Sequence, residues 1–270
     1  MTRRRRKPRE RRKFRGIYIL PNLITTASLF AGFYAIIEAI HGNFEIAALS
    51  VLVSLILDGL DGRVARMTHS SSNFGVQYDS LADLVAFGVA PALIVYFWAL
   101  QPYGRYGWVA AFLFVVCGAL RLARFNVQIG DIDPKYFNGL PIPAAATMVS
   151  TAILMYYELG EWFPTQEWAP IRDRFTLFMI YVLSFLMVSN IKYYSFKKFE
   201  LFQRKPFPVL VGVVLLFLVI AIEPKIMGCL AMASYVISGP VLTLLLLWKR
   251  RNEPEIQETE GLETKTSEIS

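Results

Sequence analysis

Long apolar segments recur along almost the whole chain, and this pattern restricts the fold more than any other feature. A helix that crosses a bilayer needs about 20 consecutive, mostly apolar residues, and about eight such segments can be marked out. They span residues 17–40, 44–63, 79–100, 106–126, 140–158, 174–192, 207–223 and 228–248. Hydrophobic residues make up 55% of the sequence. We therefore expect an all-α integral membrane protein, a polytopic bundle of about eight transmembrane helices.

The two ends of the chain differ in composition from this apolar body. Residues 1–16 are strongly basic, and the sequence predicts a cytoplasmic arm there. Residues 249–270 are polar and rich in glutamate, which predicts a disordered cytoplasmic tail. Residues 17–248 then form a single transmembrane domain, to which we assign the chemistry.

The distribution of basic residues predicts the orientation. With an even number of spans, all but four of the 28 Lys and Arg residues fall on the same side of the membrane as both termini. The exceptions are Arg105, Arg172, Arg174 and Lys225. Cytoplasmic loops carry the Lys and Arg excess, so we expect a multi-pass protein of the cell inner membrane with both termini in the cytoplasm. The net charge of +7 then reflects topology and attraction to anionic lipid headgroups, and no nucleic-acid partner is predicted.

Four aspartates lie between two strongly apolar segments. Asp58 and Asp61 are spaced i, i+3, and Asp79 and Asp83 are spaced i, i+4, so each pair shares one helix face. The polar connection THSSSNFG between them is short. We therefore expect two antiparallel neighbouring helices, with the second pair at the start of its helix, whose carboxylates meet at the cytoplasmic boundary.

Converging carboxylates repel one another and need cations or protons. Hard divalent cations such as Mg²⁺ and Mn²⁺ prefer oxygen ligands and suit this set best. Acids in this setting also occur in ion-coupled transporters and in structural ion-pair clusters. Gly62 and Arg66 lie within one turn of each other beside the first pair. They favour a phosphate-bearing substrate, because an arginine can bind two phosphate oxygens at once.

The aspartates belong to a longer motif, D-x-x-D-G-x-x-A-R-x(8)-G-x-x-x-D-x-x-x-D. Its fixed positions are Asp58, Asp61, Gly62, Ala65, Arg66, Gly75, Asp79 and Asp83. This run resembles the signature of the CDP-alcohol phosphatidyltransferase family. The resemblance implies a six-helix membrane core, a homodimer, and an active site open to the cytoplasm and the bilayer. The segments PNLIT, SLADLVAFGVAPA, RLARFN and GLPIPAA, which begin at residues 21, 80, 121 and 139, resemble the bacterial and archaeal phosphatidylserine synthases of this family.

The resemblance also implies a reaction and the residues that carry it. The phosphatidyl group of CDP-diacylglycerol would pass to the hydroxyl of L-serine, with release of CMP and with a divalent cation, Mg²⁺ or Mn²⁺, present as two ions in the site. The metal ligands would be Asp58, Asp61, Asp79 and Asp83, with Asp83 also acting as the general base. The CDP-diacylglycerol contacts would be Asn22, Thr25, Gly62, Arg66 and Ser72.

Three alternatives stay open. Asn22 and Thr25 would serve equally well as caps of the first span. Arg121 and Arg124, spaced i, i+3, either bind the serine carboxylate or a phosphate, or anchor their helix on the cytoplasmic side. The acceptor could be glycerol phosphate, inositol phosphate or choline instead of serine, and the ion-coupled transporter remains the alternative from another class.

Overall fold

Eight α-helices account for most of the protein in this computed structural model, which describes residues 19–68, 72–127, 136–162, 165–194 and 222–252. The helices are α1 (Ile19–Ile40), α2 (Phe44–Met67), α3 (Asn73–Asp83), α4 (Ala90–Val95), α5 (Arg105–Val127), α6 (Ile142–Trp162), α7 (Ala169–Val188) and α8 (Pro224–Asn252). The predicted arm (1–16), almost all of the predicted span 207–223 and the tail beyond residue 252 lie outside these residues. The last four residues of α8 fall in the segment assigned to the tail.

Five helical segments are long and apolar enough to cross a membrane within the described part of the chain. They are Leu20–Ile40, Asn73–Tyr103, Arg105–Val127, Ile142–Gly160 and Pro224–Leu245. Helices α2 and α7 also have 24 and 20 residues, but each has several charged side chains near an end. The prediction of an all-α polytopic membrane protein is confirmed.

Helices α3 and α4 belong to one continuous rod from Asn73 to Tyr103. A π-helical segment, Leu84–Val89, joins them directly after Asp83, and a second one, Tyr96–Leu100, follows α4 before a 3₁₀ turn, Gln101–Tyr103. Pro91 explains the first π-helical segment, because proline has no backbone N–H to donate and its ring clashes with the preceding helical turn. The rod therefore changes its helical phase at the residue where the fourth aspartate stands.

The rod begins earlier than the sequence pattern predicts. The prediction placed Asp79 and Asp83 at the start of their span, but α3 begins at Asn73, and both lie further along it. The cause is Ser72, whose side-chain oxygen accepts a hydrogen bond of 3.0 Å from the backbone N–H of Gly75 and so caps the helix. Nearly two turns of helix thus precede Asp79, and nearly three precede Asp83.

Small side chains allow the helices to approach closely. Ala35 and Ala39 of α1 are fully buried, as are Ala47 and Ala48 of α2. A Cβ atom at Gly32 would lie 2.6 Å from the Cα atom of Ala86 in the first π segment. Close packing of small residues is a main source of helix association where lipid surrounds the protein. It fixes α1 against both α2 and the rod, the elements that hold the aspartates.

A short antiparallel ribbon joins two connections between helices. Strand β1 (Tyr136–Asn138) pairs with β2 (Lys192–Tyr194), with Phe137 opposite Tyr193. Gly139 follows β1 with φ of 79°, a left-handed conformation that favours glycine. The sequence pattern does not predict this ribbon, because each strand has only three residues and its partner is distant along the chain.

Candidate active site

Three of the four aspartates form a cluster. Carboxylate oxygens of Asp58, Asp61 and Asp79 all lie within 4.8 Å of one another. The first two come from the last turns of α2, and Asp79 comes from α3. The i, i+3 spacing places the α2 acids on one face of that helix. This face meets Asp79 of α3, as the sequence predicts.

The fourth aspartate stands beside this cluster. The carboxyl groups of Asp83 and Asp58 lie close enough to interact with each other. Two bare carboxylates would not keep such a contact, so a proton or a cation is needed there. Asp83 therefore touches the cluster through one of its members and extends it along α3.

Helix α1 adds a hydroxyl to the cluster. Thr25 Oγ1 lies 2.7 Å from Asp61 Oδ2 and 3.1 Å from the carbonyl oxygen of Pro21, and it donates to these acceptors. Asp61 is only 4% exposed, so its carboxylate oxygen depends on this donor. Asn22 and Thr25 lie inside α1, which begins at Ile19, so neither caps it. The capping alternative is thereby removed.

A cavity of about 180 Å³ opens on one side of the cluster. Its lining comes from α1, the end of α2 and the start of α3: Pro21, Asn22, Thr25, Asp61, Gly62, Ala65, Ser72, Gly75, Val76 and Asp79. Gly75 is closely packed, because a Cβ there would lie 3.2 Å from Ser72 Oγ and 3.4 Å from Asn22 Oδ1. We call this space the first cavity.

Of the residues predicted to contact the nucleotide, Asn22, Thr25, Gly62 and Ser72 line the first cavity. Arg66 does not line it. Its guanidinium nevertheless lies at the rim of this cavity, next to Gly62. A Cβ atom placed on Gly62 would be 3.8 Å from Arg66 Nη1. Four of the five predicted residues thus surround one space.

A second cavity, of about 270 Å³, lies on the other side of α3. Its lining residues are Val76, Asp79, Ser80, Asp83, Arg121, Leu122, Phe125, Asn126, Pro141 and Pro143. Val76 and Asp79 line both cavities. Asp79 is therefore the carboxylate that the two spaces share.

The two predicted arginines separate. Arg121 lines the second cavity, with its guanidinium 5.9 Å from the centre of the Phe125 ring. Arg124 does not line it, and its Nη1 donates instead to Asn190 Oδ1 at 3.2 Å. Of these two arginines, Arg121 is the one whose positive charge reaches the space beside Asp83.

Sequence reasoning missed two polar residues of the second cavity. Asn126 Nδ2 donates to Ser80 Oγ at 2.9 Å, and Ser80 Oγ donates to the carbonyl oxygen of Val76 at 3.1 Å. These bonds orient the Asn126 amide. Ser80 begins the segment SLADLVAFGVAPA and Asn126 ends the segment RLARFN, both of which carry the family resemblance. Their contact could not be predicted, because it joins residues 46 positions apart.

The donor set fits a hard divalent cation. All three clustered ligands are carboxylate oxygens, the type that Mg²⁺ and Mn²⁺ prefer. Asp79 Oδ1 is buried and has no hydrogen-bond partner among the residues that the structure describes. A buried carboxylate oxygen without a donor is costly, and a bound cation would remove that cost.

Comparison with known proteins identifies the family of the chain that carries this site. The model of the CDP-alcohol phosphatidyltransferase family matches residues 18–190, which include every aspartate of the cluster and both cavities. The chain belongs to the CDP-alcohol phosphatidyltransferase family. Membership in this family favours the transferase prediction over the ion-coupled transporter.

Several curated relatives of this family are similar over much of their length. A CDP-diacylglycerol–serine O-phosphatidyltransferase of Helicobacter pylori is 42% identical over 237 residues, covering 86% of this chain and 94% of the relative. A protein of the same name from Mycobacterium tuberculosis is 40% identical over 190 residues, covering 68% and 64%. An archaetidylserine synthase of Methanothermobacter thermautotrophicus is 35% identical over 186 residues, covering 67% and 72%.

The hydroxyl of Thr25 supports a prediction on cation affinity. Replacing Thr25 by valine keeps the shape of the side chain but leaves the buried Asp61 oxygen without its donor. Loss of a hydrogen bond to a metal ligand typically weakens metal affinity 10–100-fold. We expect the Mn²⁺ dissociation constant, measured by electron paramagnetic resonance on protein in nanodiscs, to rise about tenfold.

The matched control is Thr26→Val, because Thr26 bonds to Tyr78 and to the carbonyl oxygen of Asn22 on the exposed side of α1. Thr25→Ser, which retains the hydroxyl, should bind Mn²⁺ almost as the unaltered protein does. Equal affinity of Thr25→Val and Thr26→Val would contradict a role of this hydrogen bond in holding the cluster.

Proposed function

We propose that this protein transfers the phosphatidyl group of CDP-diacylglycerol to the hydroxyl of L-serine and releases CMP. The observation that carries the proposal is the pair of cavities that meet at Asp79, one beside the acidic cluster and one containing Asp83 and Arg121. A transferase needs such an arrangement, because the acceptor oxygen must reach the phosphorus of the bound donor from the side away from the leaving CMP. The relatives from Helicobacter and Mycobacterium are named as serine O-phosphatidyltransferases, which supports serine as the acceptor.

The acidic cluster is proposed to hold the divalent cation. Asp58, Asp61 and Asp79 are the ligands, Asp83 completes the set, and two ions, Mg²⁺ or Mn²⁺, are proposed for one site. Bound there, divalent cations neutralise a pyrophosphate and stabilise the charge that develops on its leaving group. Thr25 orients the Asp61 carboxylate through the hydrogen bond described above.

The first cavity is proposed to receive the cytidine diphosphate group. Asn22, Thr25, Gly62 and Ser72 line it, and they offer an amide, two hydroxyls and close backbone approach. Arg66 at the rim is proposed to bind a phosphate oxygen pair, for which a guanidinium is suited. The diacylglycerol chains would then extend from the site into the bilayer that surrounds the apolar helices.

The second cavity is proposed to receive the acceptor. Asp83 takes the proton from the serine hydroxyl, the serine oxygen attacks the phosphorus that bears the diacylglycerol, and the bond to CMP breaks. Arg121 binds the serine carboxylate. The contact of Arg124 with Asn190 supports an anchoring role for Arg124 on α5, although a phosphate contact remains part of the proposal.

Orientation and assembly are proposed on the same basis. The Lys and Arg distribution supports an inner-membrane location with both termini and the active site on the cytoplasmic side. A homodimer is proposed from the family resemblance. Free serine and the released CMP are both water-soluble, so a site at the cytoplasmic boundary would let serine enter and CMP leave.

One assay tests the proposed reaction. Purified protein in nanodiscs would be incubated with CDP-diacylglycerol, Mn²⁺ or Mg²⁺, and one alcohol at a time, and CMP would be measured by chromatography. We expect CMP with L-serine and at most trace amounts with glycerol phosphate, inositol phosphate or choline. Release with glycerol phosphate but not with serine would contradict the acceptor assignment alone, and no release with any alcohol would contradict the transferase assignment.

A further inference from the structure

The second cavity offers the proposed acceptor few polar groups. Its polar lining residues are Asp79, Ser80, Asp83, Arg121 and Asn126. In the proposed function, Asp79 holds the cation, Asp83 takes the proton of the serine hydroxyl, and Arg121 binds the serine carboxylate. The ammonium group of serine then has no assigned partner, although its three N–H donors need acceptors when it leaves water.

The two prolines of the lining add no free acceptor. The carbonyl oxygen of Pro141 accepts a hydrogen bond of 3.0 Å from the backbone N–H of Ala145. The carbonyl oxygen of Pro143 accepts one of 2.6 Å from Thr147 Oγ1. Both carbonyls are thus engaged within the first turns of α6, and the acceptor for the ammonium group is to be sought among the side chains.

A chain of two hydrogen bonds decides which atom of the Asn126 amide is free. Ser80 Oγ donates its single proton to the carbonyl oxygen of Val76 at 3.1 Å, so it can only accept from Asn126. Asn126 Nδ2 is accordingly the atom that donates to it, at 2.9 Å. Asn126 Oδ1 lies on the other side of the amide, and no residue within the described ranges donates to it.

Helix α5 presents Asn126 and Arg121 to the same cavity. Arg121 and Phe125, and likewise Leu122 and Asn126, are spaced i, i+4, and all four line the cavity as one face of the helix. The five residues from Arg121 to Asn126 correspond to a rise of about 7.5 Å along the axis. A cation and an amide oxygen therefore stand at two levels of one space, where an amino acid could contact both.

We propose that Asn126 binds the ammonium group of the acceptor through Oδ1 and that Ser80 orients the amide for this contact. With Arg121, it selects an alcohol that has both a carboxylate and an ammonium group. Glycerol phosphate and inositol phosphate have no ammonium group, and the quaternary nitrogen of choline has no N–H to donate. A site built to hydrogen-bond a substrate N–H discriminates against analogues without it, because its polar atom is left unpaired.

This inference rests on the proposed function, and Asn126→Ala tests it. The variant removes the amide from a half-buried position in the last turn of α5, where little packing is lost. Because a hydrogen bond to a charged group is lost, we expect KM for serine to rise about tenfold. The value of kcat, KM for CDP-diacylglycerol and Tm should stay close to those of the unaltered protein, since Asn126 does not line the first cavity.

A serine analogue separates binding of the ammonium group from a general effect on the cavity. The analogue 3-hydroxypropionate has the hydroxyl and the carboxylate of serine and lacks only the ammonium group. It would compete with labelled L-serine, whose incorporation into lipid is measured. Asn126→Ala should leave its inhibition constant unchanged while KM for serine rises, because the ligand group that Asn126 contacts is already absent. Equal weakening of both ligands, or no change in either, would overturn the proposal.

Ser80→Ala distinguishes ligand binding from a link between helices. It should raise KM for serine less than Asn126→Ala does, because the amide oxygen remains and is only less well oriented. If the amide served only to hold α5 against α3, both variants would change KM and Tm equally, and that result would also overturn the proposal. Asn43→Ala is the matched control, since Asn43 Nδ2 donates to Glu38 Oε2 at 2.8 Å, at the end of α2 opposite the acidic cluster. Both KM values should be unchanged in it.

The outcomes separate the inference from the function on which it rests. If the unaltered protein uses serine and Asn126→Ala has the same KM for it, only the inference fails. If the unaltered protein releases no CMP with serine, the proposed function fails and the inference fails with it.

Discussion

Replacement of Asp83 by asparagine is expected to lower kcat for CMP release by about 10²–10⁴-fold. Asp83 lines the second cavity together with Arg121, the proposed contact of the serine carboxylate. Asparagine has almost the same shape, but its amide cannot take the proton of the serine hydroxyl. A general base contributes a rate factor of this size when it is correctly placed.

Binding of the nucleotide should survive in this variant, because Asp83 does not line the first cavity. Calorimetry with CDP would measure it alongside the CMP assay. Asp173→Asn is the matched control, since Asp173 pairs with Arg172 near the start of α7 and lines neither cavity. Near-normal turnover by Asp83→Asn would show that another group takes the proton.

Replacement of Asp79 by asparagine is expected to remove both cation binding and turnover. Asp79 belongs to the carboxylate cluster, lines both cavities and has a buried oxygen without a donor in the described part of the protein. A divalent cation supplies several kcal/mol of transition-state stabilisation, which corresponds to roughly a thousandfold or more in rate. The loss should exceed that of Asp83→Asn, because both substrates depend on this carboxylate.

Electron paramagnetic resonance of Mn²⁺ separates the two variants. Asp79→Asn should bind Mn²⁺ weakly or not at all, whereas Asp83→Asn should retain most of the binding, since Asp83 lies beside the three-carboxylate cluster and not within it. In the unaltered protein, a chelator should abolish CMP release and added Mn²⁺ should restore it. Mn²⁺ binding by Asp79→Asn equal to that of the unaltered protein would place the cation elsewhere.

Features that depend on residues close together in the sequence could be predicted, whereas contacts between distant residues could not. The two aspartate pairs were predicted correctly because i, i+3 and i, i+4 neighbours share a helix face whatever the rest of the chain does. The start of α3 was misplaced by six residues, since a serine cap competes with the apolar pattern that marks the span. The separation of Arg121 from Arg124 could not be predicted either, because Asn190, the partner of Arg124, is 66 positions away.

The sequence by itself determined that the chain is a helical membrane protein with acids grouped in two local pairs. Apolar length and carboxylate spacing are local properties of the sequence. Because a bilayer offers no hydrogen-bond partners to the backbone, a chain that crosses it satisfies its N–H and C=O groups by forming helices. Only the tertiary structure decided that Asp79 is shared by two cavities and that Thr25 of α1 donates a hydrogen bond to Asp61. Those contacts depend on how closely small residues such as Gly32 let the helices approach one another, which spacing along the chain does not determine.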